Sequence, residues 1–318
     1  MPGDVSLLRP LVNIALDEYG LTGVRVTPVR VFNNSVFRLT TPAGDLALRI
    51  HRQGYRTSRE IRSELVYLTG LAATGRVDVP VPLVTRRGEL VAEVQAPGEV
   101  RHCSVVTWLP GEVRRPGTGA GPATLVRIGE ALGRIHEFSA SFAAPAGFER
   151  PTWDLETLLG GEGAHQLGDG QRLIDEVRER SVPVFGGIAG SPSAFGVIHH
   201  DFILLNCLHR GRRTAVIDFD DCGWGFFIQD LGGLLGNLKD YPHHRSLWKP
   251  FLDGYRSVRP LPSEREEDLE LMVALRHAAT ALWMIDRDRE RPLPGDQLRR
   301  NLDYRLGEIE RSLKVLSR

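Results

Sequence analysis

The spacing of hydrophobic residues changes character near residue 109. Before it, apolar and polar residues alternate in short runs, which is typical of strands with one buried face. This pattern predicts five strands, over 24–31, 36–40, 45–51, 89–94 and 103–108. Apolar residues three and four positions apart predict helices over 5–19 and 57–73. The segment 79–84 carries two prolines, which predicts an edge strand or an extended segment.

Helical spacing dominates after a turn-rich stretch that starts with Leu-Pro-Gly at 109–111. The apolar stripes predict helices over 122–139, 153–160, 170–180, 226–239, 243–257, 264–286 and 296–315. Ser263 and Glu266 have the spacing of a capping box at the start of the next-to-last of these helices. The sequence therefore predicts two domains, over 1–108 and 109–318.

Composition narrows the class of protein. The chain has 318 residues with 40 basic and 40 acidic side chains, so its formal net charge is zero, and 42% of its residues are hydrophobic. A zero net charge removes the overall basic field of non-specific nucleic-acid binders, and we expect no nucleic-acid partner. The three cysteines, Cys103, Cys207 and Cys222, predict no disulfide framework and fit the cytoplasm. No secretory signal and no apolar run of about 18 residues is present, so we expect no membrane span.

A stretch of short strands and loops within the helical part carries the candidate chemistry. Asp201 follows one apolar run, Asn206 comes five residues later, and Asp218 follows a second apolar run. A transferred phosphoryl group is dense in negative charge, so its transfer requires Mg²⁺, which prefers hard oxygen ligands. A separate carboxylate must orient the attacking hydroxyl and accept its proton. Asp and Asn are also common in turns, but the order of these residues and the apolar run before each Asp favour a phosphoryl-transfer site.

These motifs resemble those of the aminoglycoside phosphotransferase and choline kinase-like family. Its hallmark is H-x-D followed by N, then an I-D-x-D stretch and a downstream D-L. In this sequence the hallmark consists of His199, Asp201, Asn206, Ile217-Asp218-Phe219-Asp220 and Asp230-Leu231. The resemblance implies an α+β, protein kinase-like two-lobe fold, with a small mixed β lobe and a larger, mainly helical lobe.

The resemblance also implies a role for each motif residue, with ATP and Mg²⁺ as cofactors. Asp201 resembles the catalytic base, and Asn206 and Asp218 resemble the metal ligands. His199 resembles the histidine that packs beneath the catalytic loop, and Asp230 resembles the carboxylate that anchors this loop. Asp220 is a further candidate at the metal or at the substrate.

The first lobe offers a candidate cation for the nucleotide phosphates. Arg49 comes two residues after Ala47 on a predicted strand, which is the spacing of the kinase strand that carries a lysine. Glu64 lies on the apolar face of the helix over 57–73 and is predicted to hold Arg49, with Glu60 as a substitute. Arginine presents a planar guanidinium with several N–H donors in a fixed arrangement (a planar fork), whereas lysine presents a compact point charge. The alternative interpretation is two solvated surface charges.

Two further segments resemble nucleotide-binding parts of the family. The hairpin tip over 32–35 stands where a glycine-rich phosphate loop would lie, so Asn34 and Ser35 are candidates for phosphate contact, although a plain hairpin turn has the same pattern. The segment over 105–111 resembles the hinge whose backbone receives adenine, with Thr107 and Leu109 as candidate contacts.

The chain departs from the family pattern at three positions of the catalytic loop. His200 stands where the family usually has glycine, and Ile203 and Leu205 replace a histidine and a glycine. These changes reshape the substrate contacts or signal lost activity. Zinc binding by the histidines and cysteines around 199–222 is disfavoured because no C-x-x-C pair is present.

The sequence therefore predicts a kinase that transfers the γ-phosphoryl group of ATP to a hydroxyl of a small molecule. A Ser/Thr protein kinase of the same fold and a catalytically silent nucleotide-binding regulator remain as alternatives. The stretches over 48–65 and 218–221 resemble the homoserine kinase-like and stress-response kinase-like branches. The acceptor and the oligomeric state are left open.

Overall fold

A five-stranded antiparallel sheet forms the first part of the chain. The computed structural model describes residues 5–31, 34–96, 99–191, 193–261 and 265–317. The strands are β1 (Arg25–Val31), β2 (Ser35–Thr41), β3 (Gly44–Ile50), β4 (Ala92–Ala96) and β5 (Glu99–Thr107). Their order in the sheet is β1-β2-β3-β5-β4. The five predicted strands are confirmed, although β5 starts four residues earlier than predicted because its pairing with β4 continues to Ala96 and Glu99.

Two helices accompany this sheet, as the apolar spacing predicts: α1 (Val5–Glu18) and α2 (Ser58–Ala73). A capping box of Thr57 and Glu60 starts α2, which satisfies backbone N–H groups that have no partner within the helix. The segment over 79–84 is extended and follows β5, with the Leu83 N–H donating to Val105 O at 2.9 Å. The sheet and α1 share a buried apolar cluster that includes Leu11, Leu39 and Leu48.

Helices dominate the rest of the described chain. They are α3 (Pro122–Ser141), α4 (Leu155–Leu159), α5 (Gln171–Ile188), α6 (Phe227–Leu238), α7 (His244–Arg256), α8 (Leu269–Glu290) and α9 (Gln297–Leu316). The short strands are β6 (Glu112–Val113), β7 (Phe195–Ile198), β8 (Cys207–Arg210), β9 (Arg213–Val216) and β10 (Gly223–Phe226). Two 3₁₀ stretches cover Glu162–Gly170 and Leu204–Asn206. An α+β fold with a sheet-rich part and a helical part is thereby confirmed.

The start of α8 differs from the prediction. The helix begins at Leu269 and not at 264, and Ser263 of the predicted capping box lies outside the described residues. A capping box needs the Glu266 side chain to turn back to the cap, but Glu266 forms an ion pair with Arg256. Asp268, just before the helix, pairs with Arg265 at 2.9 Å. These ion pairs take the side chains that an earlier helix start would use.

The chain divides into two units, and each is built from separated segments. Unit 1 contains residues 1–112, 144–150 and 208–220. Unit 2 contains residues 113–143, 151–207 and 221–318. The sheet, α1, α2 and most of the β8–β9 hairpin belong to unit 1, and α3 to α9 with the β7–β10 pair belong to unit 2.

Glycines allow α3 and α7 to pack closely within unit 2. A Cβ atom added to Gly129 of α3 would lie 2.0 Å from the carbonyl oxygen of Phe251, and one added to Gly254 of α7 would lie 2.0 Å from that of Val126. Both neighbours are backbone atoms, which cannot turn aside as a side chain can. The two helix backbones therefore touch where these glycines stand.

Candidate active site

The loop over 199–206 carries two of the predicted site residues. It leaves β7 and ends in the short 3₁₀ turn, so strand and turn fix both of its ends. The Asn206 side-chain Nδ2 donates to the Asp201 backbone oxygen at 2.9 Å and to Asp201 Oδ2 at 3.2 Å. Because the amide nitrogen is used toward Asp201, the amide oxygen is the Asn206 atom suited to a cation. The structure thus brings Asp201 and Asn206 together within unit 2.

Asp230, at the start of α6, fixes the backbone at the beginning of this loop. It is 1% exposed, and its carboxylate accepts the N–H of His199 at 2.8 Å and that of His200 at 2.7 Å. The ring of His136 lies 3.1 Å from the same carboxylate and 3.0 Å from the Tyr255 hydroxyl. Since a carboxylate only accepts, the His136 Nε2 must donate, and in the neutral ring Nδ1 then accepts from Tyr255.

The charges in this buried network act on each other. Burial raises the pKa of Asp230, but the hydrogen bond and charge of His136 together with the interactions of His199 outweigh it, so this pKa lies below its ordinary value. Burial lowers the pKa of His136, with a partial offset from Asp230. Asp230 is therefore an anion that accepts hydrogen bonds, which suits the anchoring of a loop.

His200 adopts a backbone conformation that explains why glycine is usual at its position in the family that this sequence resembles. Its φ is 66°, in the left-handed region that a residue with a Cβ rarely enters. The imidazole stacks on Trp153 with ring centroids 3.7 Å apart and planes 3° apart. Burial, followed by the charge of Arg276, lowers the pKa of His200 to about 3, so the ring is neutral at pH 7.

Arg276 of α8 contacts the candidate catalytic loop, and the sequence pattern did not predict this. Its Nη1 donates to the His200 backbone oxygen at 2.8 Å, and its Nη2 forms an ion pair with Asp201 Oδ1. A small pocket of unit 2 is lined by Arg276 and His200 together with Gln229 and apolar side chains of α4 and α8. A signal was present, because Arg276 is a cation within the otherwise mainly buried, apolar stretch over 269–282.

Unit 1 contains a separate cluster of predicted site residues around Arg49. The guanidinium lies 3.1 Å from Glu64 Oε1, 3.4 Å from Asp218 Oδ1 and 3.5 Å from Asp220 Oδ1. Burial raises the pKa of Glu64, against the opposing effect of Arg49. Burial would lower the pKa of Arg49, but its carboxylate neighbours raise it, so Arg49 stays charged. These ion pairs bring three carboxylates around one guanidinium.

Asn34 joins the same cluster from the tip of the β1–β2 hairpin. Its Nδ2 donates to Asp220 Oδ2 at 2.9 Å, and its Oδ1 accepts the Arg52 N–H at 2.9 Å. Glu60, named as a substitute for Glu64, instead belongs to the cap of α2. Phe32 and Asn33 of the predicted tip lie outside the described residues.

The remaining predicted nucleotide contacts lie on the sheet of unit 1. Ser35 opens β2, and Ala47 lies on β3 opposite Val106. Thr107 ends β5, where its N–H donates to the Val81 carbonyl and its hydroxyl accepts the Val81 N–H, both at 2.9 Å. Leu109 follows two residues later. The groups of Thr107 that face Val81 are thus already used within the sheet region.

The described residues also bear on metal binding and on membrane insertion. In those ranges, no three or more His, Cys, Asp and Glu side chains form a group that could hold a metal ion. None of the helices in the same ranges combines the length and apolar character needed to cross a membrane. A metal ion at the candidate active site would therefore need other oxygen ligands besides His, Cys, Asp and Glu side chains, such as those of an amide or a phosphate.

Comparisons with known proteins identify a family and similar proteins. The model of the phosphotransferase enzyme family matches residues 25–267. Homoserine kinase of Brucella abortus is 29% identical over 270 residues, which cover 80% of this chain and 75% of that protein.

Solved structures show the same fold over nearly the whole chain. The microcompartment-associated aminopropanol kinase is 25% identical with a TM-score of 0.77, over 99% of this chain and 98% of that one. An amicoumacin kinase in complex with AMP-PNP, Ca²⁺ and Ami is 21% identical with a TM-score of 0.81, over 98% of this chain and 96% of that one. The kinase-like fold that the sequence motifs imply is confirmed.

Proposed function

Because the chain belongs to the phosphotransferase enzyme family, we propose that it transfers the γ-phosphoryl group of ATP to a hydroxyl of a small molecule, with Mg²⁺ as the metal. The acceptor oxygen forms a bond to the γ-phosphorus, and the bond from that phosphorus to the bridging oxygen of ADP breaks. The hydroxyl proton moves to a carboxylate. The observation that carries the proposal is the pairing of Asp201 with Asn206 on a loop anchored by the buried Asp230.

Asp201 is the residue that orients the acceptor hydroxyl and takes its proton. Its side chain is about one-third exposed, so a substrate can reach it. The hydrogen bond from Asn206 and the ion pair with Arg276 hold the carboxylate in one orientation. A base held in place in this way is what phosphoryl transfer requires, because its catalysis consists mostly of positioning and electrostatics.

Asn206 and Asp218 are the residues that offer oxygens to Mg²⁺. An amide oxygen and a carboxylate are hard ligands of the kind that Mg²⁺ prefers. When bound, Mg²⁺ neutralises charge on the phosphate oxygens. The backbone of Asp218 has a φ of 68°, in the left-handed region that a residue with a Cβ rarely enters.

Arg49 is the residue that contacts the α- and β-phosphates, and Glu64 holds it in place. The Glu64 side chain is 4% exposed and that of Arg49 is 20% exposed, so the pair is mostly shielded and the guanidinium keeps some exposed surface. Asn34 and Ser35 lie at the hairpin end next to this pair in unit 1 and are the proposed contacts to the outer phosphates, while Thr107 and Leu109 mark the proposed adenine contact. His199 supports the loop through its backbone bond to Asp230.

The names of related proteins support a small acceptor. A homoserine kinase, an aminopropanol kinase and an amicoumacin kinase stand among the similar proteins, and each name denotes a small molecule. We therefore place the acceptor among small hydroxyl compounds and not among proteins.

The test is ADP release with Mg²⁺ and ATP against a panel of hydroxyl compounds, run with Asp201→Asn beside the unchanged protein. Without the base, kcat is expected to fall by about 10²- to 10⁴-fold, with the KM for ATP changed by less than about threefold. Asp253→Asn is the matched control, because Asp253 pairs with Lys249 on the surface of α7. It should leave both constants unchanged.

Two results would contradict the proposal. Near-normal turnover by Asp201→Asn would show that Asp201 is not the base. Magnesium-dependent ATP binding without transfer to any acceptor would favour a silent nucleotide-binding regulator.

A further inference from the structure

The pocket beside Asp201 in unit 2 has a mainly apolar lining with a few polar side chains. Its apolar walls come from Leu158 of α4 and from Met272, Leu275 and Ala279 of α8. Three polar side chains complete the described lining: His200, Gln229 and Arg276. Each of these polar groups is a candidate for the recognition of an acceptor.

Gln229 is already used by the fold. Its Oε1 accepts the Phe226 N–H at 2.6 Å, and its Nε2 donates to the Trp153 carbonyl at 2.9 Å. His200 is neutral at pH 7 because its pKa is lowered to about 3, and its ring is stacked on Trp153. Neither group therefore gives the pocket a charge.

Arg276 is the charged residue among the side chains that line this pocket. It is held from two directions, by the His200 carbonyl and by the Asp201 carboxylate. These bonds use two of the five N–H groups of a guanidinium, and 24% of the side chain is exposed. The guanidinium is thus fixed in position and still has donors for a ligand.

The position of Arg276 selects among acceptors by charge. A carboxylate on the acceptor meets a fixed planar donor that matches its geometry. An ammonium group meets the like charge of the guanidinium and is repelled by it. Asp201 offers the opposing negative charge, but its Oδ1 is already paired with Arg276.

Building on the proposed kinase function, we propose that the acceptor is a short hydroxyl compound that carries a carboxylate, and that Arg276 binds this carboxylate. Arg276 touches Asp201 directly, so an acceptor held by Arg276 has its hydroxyl within reach of the base only if a few carbon atoms separate the two groups. The products are ADP and the O-phosphorylated acid.

The test uses three matched four-carbon alcohols that differ at one end: 4-hydroxybutyrate, 4-hydroxybutyramide and 4-amino-1-butanol. Binding to the protein saturated with AMP-PNP and Mg²⁺ is measured by calorimetry, and turnover with ATP is measured by ADP release. The carboxylate is expected to bind at least about tenfold more tightly than the amide, and the amine most weakly, because an ionic hydrogen bond is lost and then replaced by repulsion.

Variants separate recognition from stability. Arg276→Met should bring the affinities for the carboxylate and the amide to within about threefold of each other, while the KM for ATP stays unchanged. Arg276→Lys should restore part of the preference, since the charge remains and the fork is lost. Arg289→Met on the same helix is the control, because Arg289 pairs with the exposed Asp286.

The binding and turnover measurements can overturn the proposed acceptor class. A preference for the amine, a preference that survives Arg276→Met, or no binding of any of the three alcohols overturns it. The kinase assignment is judged separately by transfer of phosphate to any other acceptor, so a failed acceptor class and a failed function give different results.

Discussion

His200 stands in the left-handed region of backbone conformation, and its neighbours hold it there. The Trp153 ring, the Asp230 carboxylate and the Arg276 guanidinium contact its ring, its N–H and its carbonyl. A non-glycine residue in this conformation costs on the order of 1 kcal/mol or more, which these contacts offset.

A pair of variants tests this strain. His200→Gly and His200→Ala lose the same stack on Trp153, but only alanine keeps the Cβ penalty at a φ of 66°. His200→Gly should therefore be more stable than His200→Ala by about 1 kcal/mol in urea unfolding. Equal stability of the two variants would mean that the backbone relaxes out of this conformation.

His277 of α8 predicts a pH dependence of stability. It is 1% exposed and contacts Arg305 at 2.9 Å, and burial followed by the charge of Arg305 lowers its pKa to about 3. Below about pH 6.5 the unfolded chain takes up a proton on this histidine that the folded chain does not. The free energy of unfolding therefore falls as the pH drops from about 6.5 toward 3.

The comparison with His277→Gln isolates this contribution. Between pH 7.5 and 5, the unchanged protein should lose about 2 kcal/mol more unfolding free energy than the variant does, as followed by urea titration at each pH. The other buried histidines contribute to both proteins alike. Parallel stability curves for the two proteins would show that His277 is protonated in the folded state.

At the scale of single residues, candidate site residues could be predicted from the sequence where they lie close together in the chain. Asp201 and Asn206 are five residues apart, and both lie on one loop. Arg276 was missed because it comes 75 residues after Asp201, and its approach depends on the register of α8. No local spacing encodes that register.

Among the elements, the packing of α3 on α7 depends on small residues. Gly129→Ala should lower the free energy of unfolding by about 2 to 4 kcal/mol, because the new methyl group meets the Phe251 carbonyl and the helices must separate. Gly186→Ala within α5 is the control, since no atom lies within 4 Å of the added Cβ. It should be neutral or stabilising by up to about 1 kcal/mol.

Thermal unfolding monitored by circular dichroism measures both glycine variants. If Gly129→Ala and Gly186→Ala unfolded at the same temperature, the close approach of α3 and α7 would be wrong. The expected order is Gly129→Ala lowest, with the unchanged protein and Gly186→Ala close together.

Element existence was easier to predict from the sequence than element boundaries. Apolar stripes predicted α1, α2 and α3 to within about two residues, because each helix buries one continuous face. The start of α8 was wrong by five residues because ion pairs with Arg256 and Arg265 replaced the predicted cap. The pairing of Glu266 with Arg256 depends on tertiary structure, so the residues next to the helix start do not reveal it.

On the scale of the whole molecule, Arg49 connects segments that lie far apart in the chain. Its partners Glu64, Asp218 and Asp220 are 15, 169 and 171 residues away. Arg49→Met leaves Glu64 buried without its cation, which should cost about 3 kcal/mol of unfolding free energy and raise the KM for ATP.

The double variant Arg49→Met with Glu64→Met separates the two effects. Removing both charges should restore most of the stability, because the buried carboxylate is gone, while the KM for ATP stays high because the phosphate contact is still missing. Urea unfolding and ATP titration provide the two readouts. Recovery of ATP affinity in the double variant would argue against a phosphate contact by Arg49.

The assembly of unit 1 from three chain segments sets an order of events during protein synthesis. Its sheet is complete once residue 112 has been made, but its last segment ends at residue 220. At about 5 to 20 residues per second, a ribosome needs roughly 5 to 20 s to add the missing length. During that interval Arg49 has Glu64 beside it but neither aspartate, so the set of ion pairs around Arg49 is completed only after the strands of the sheet have been made.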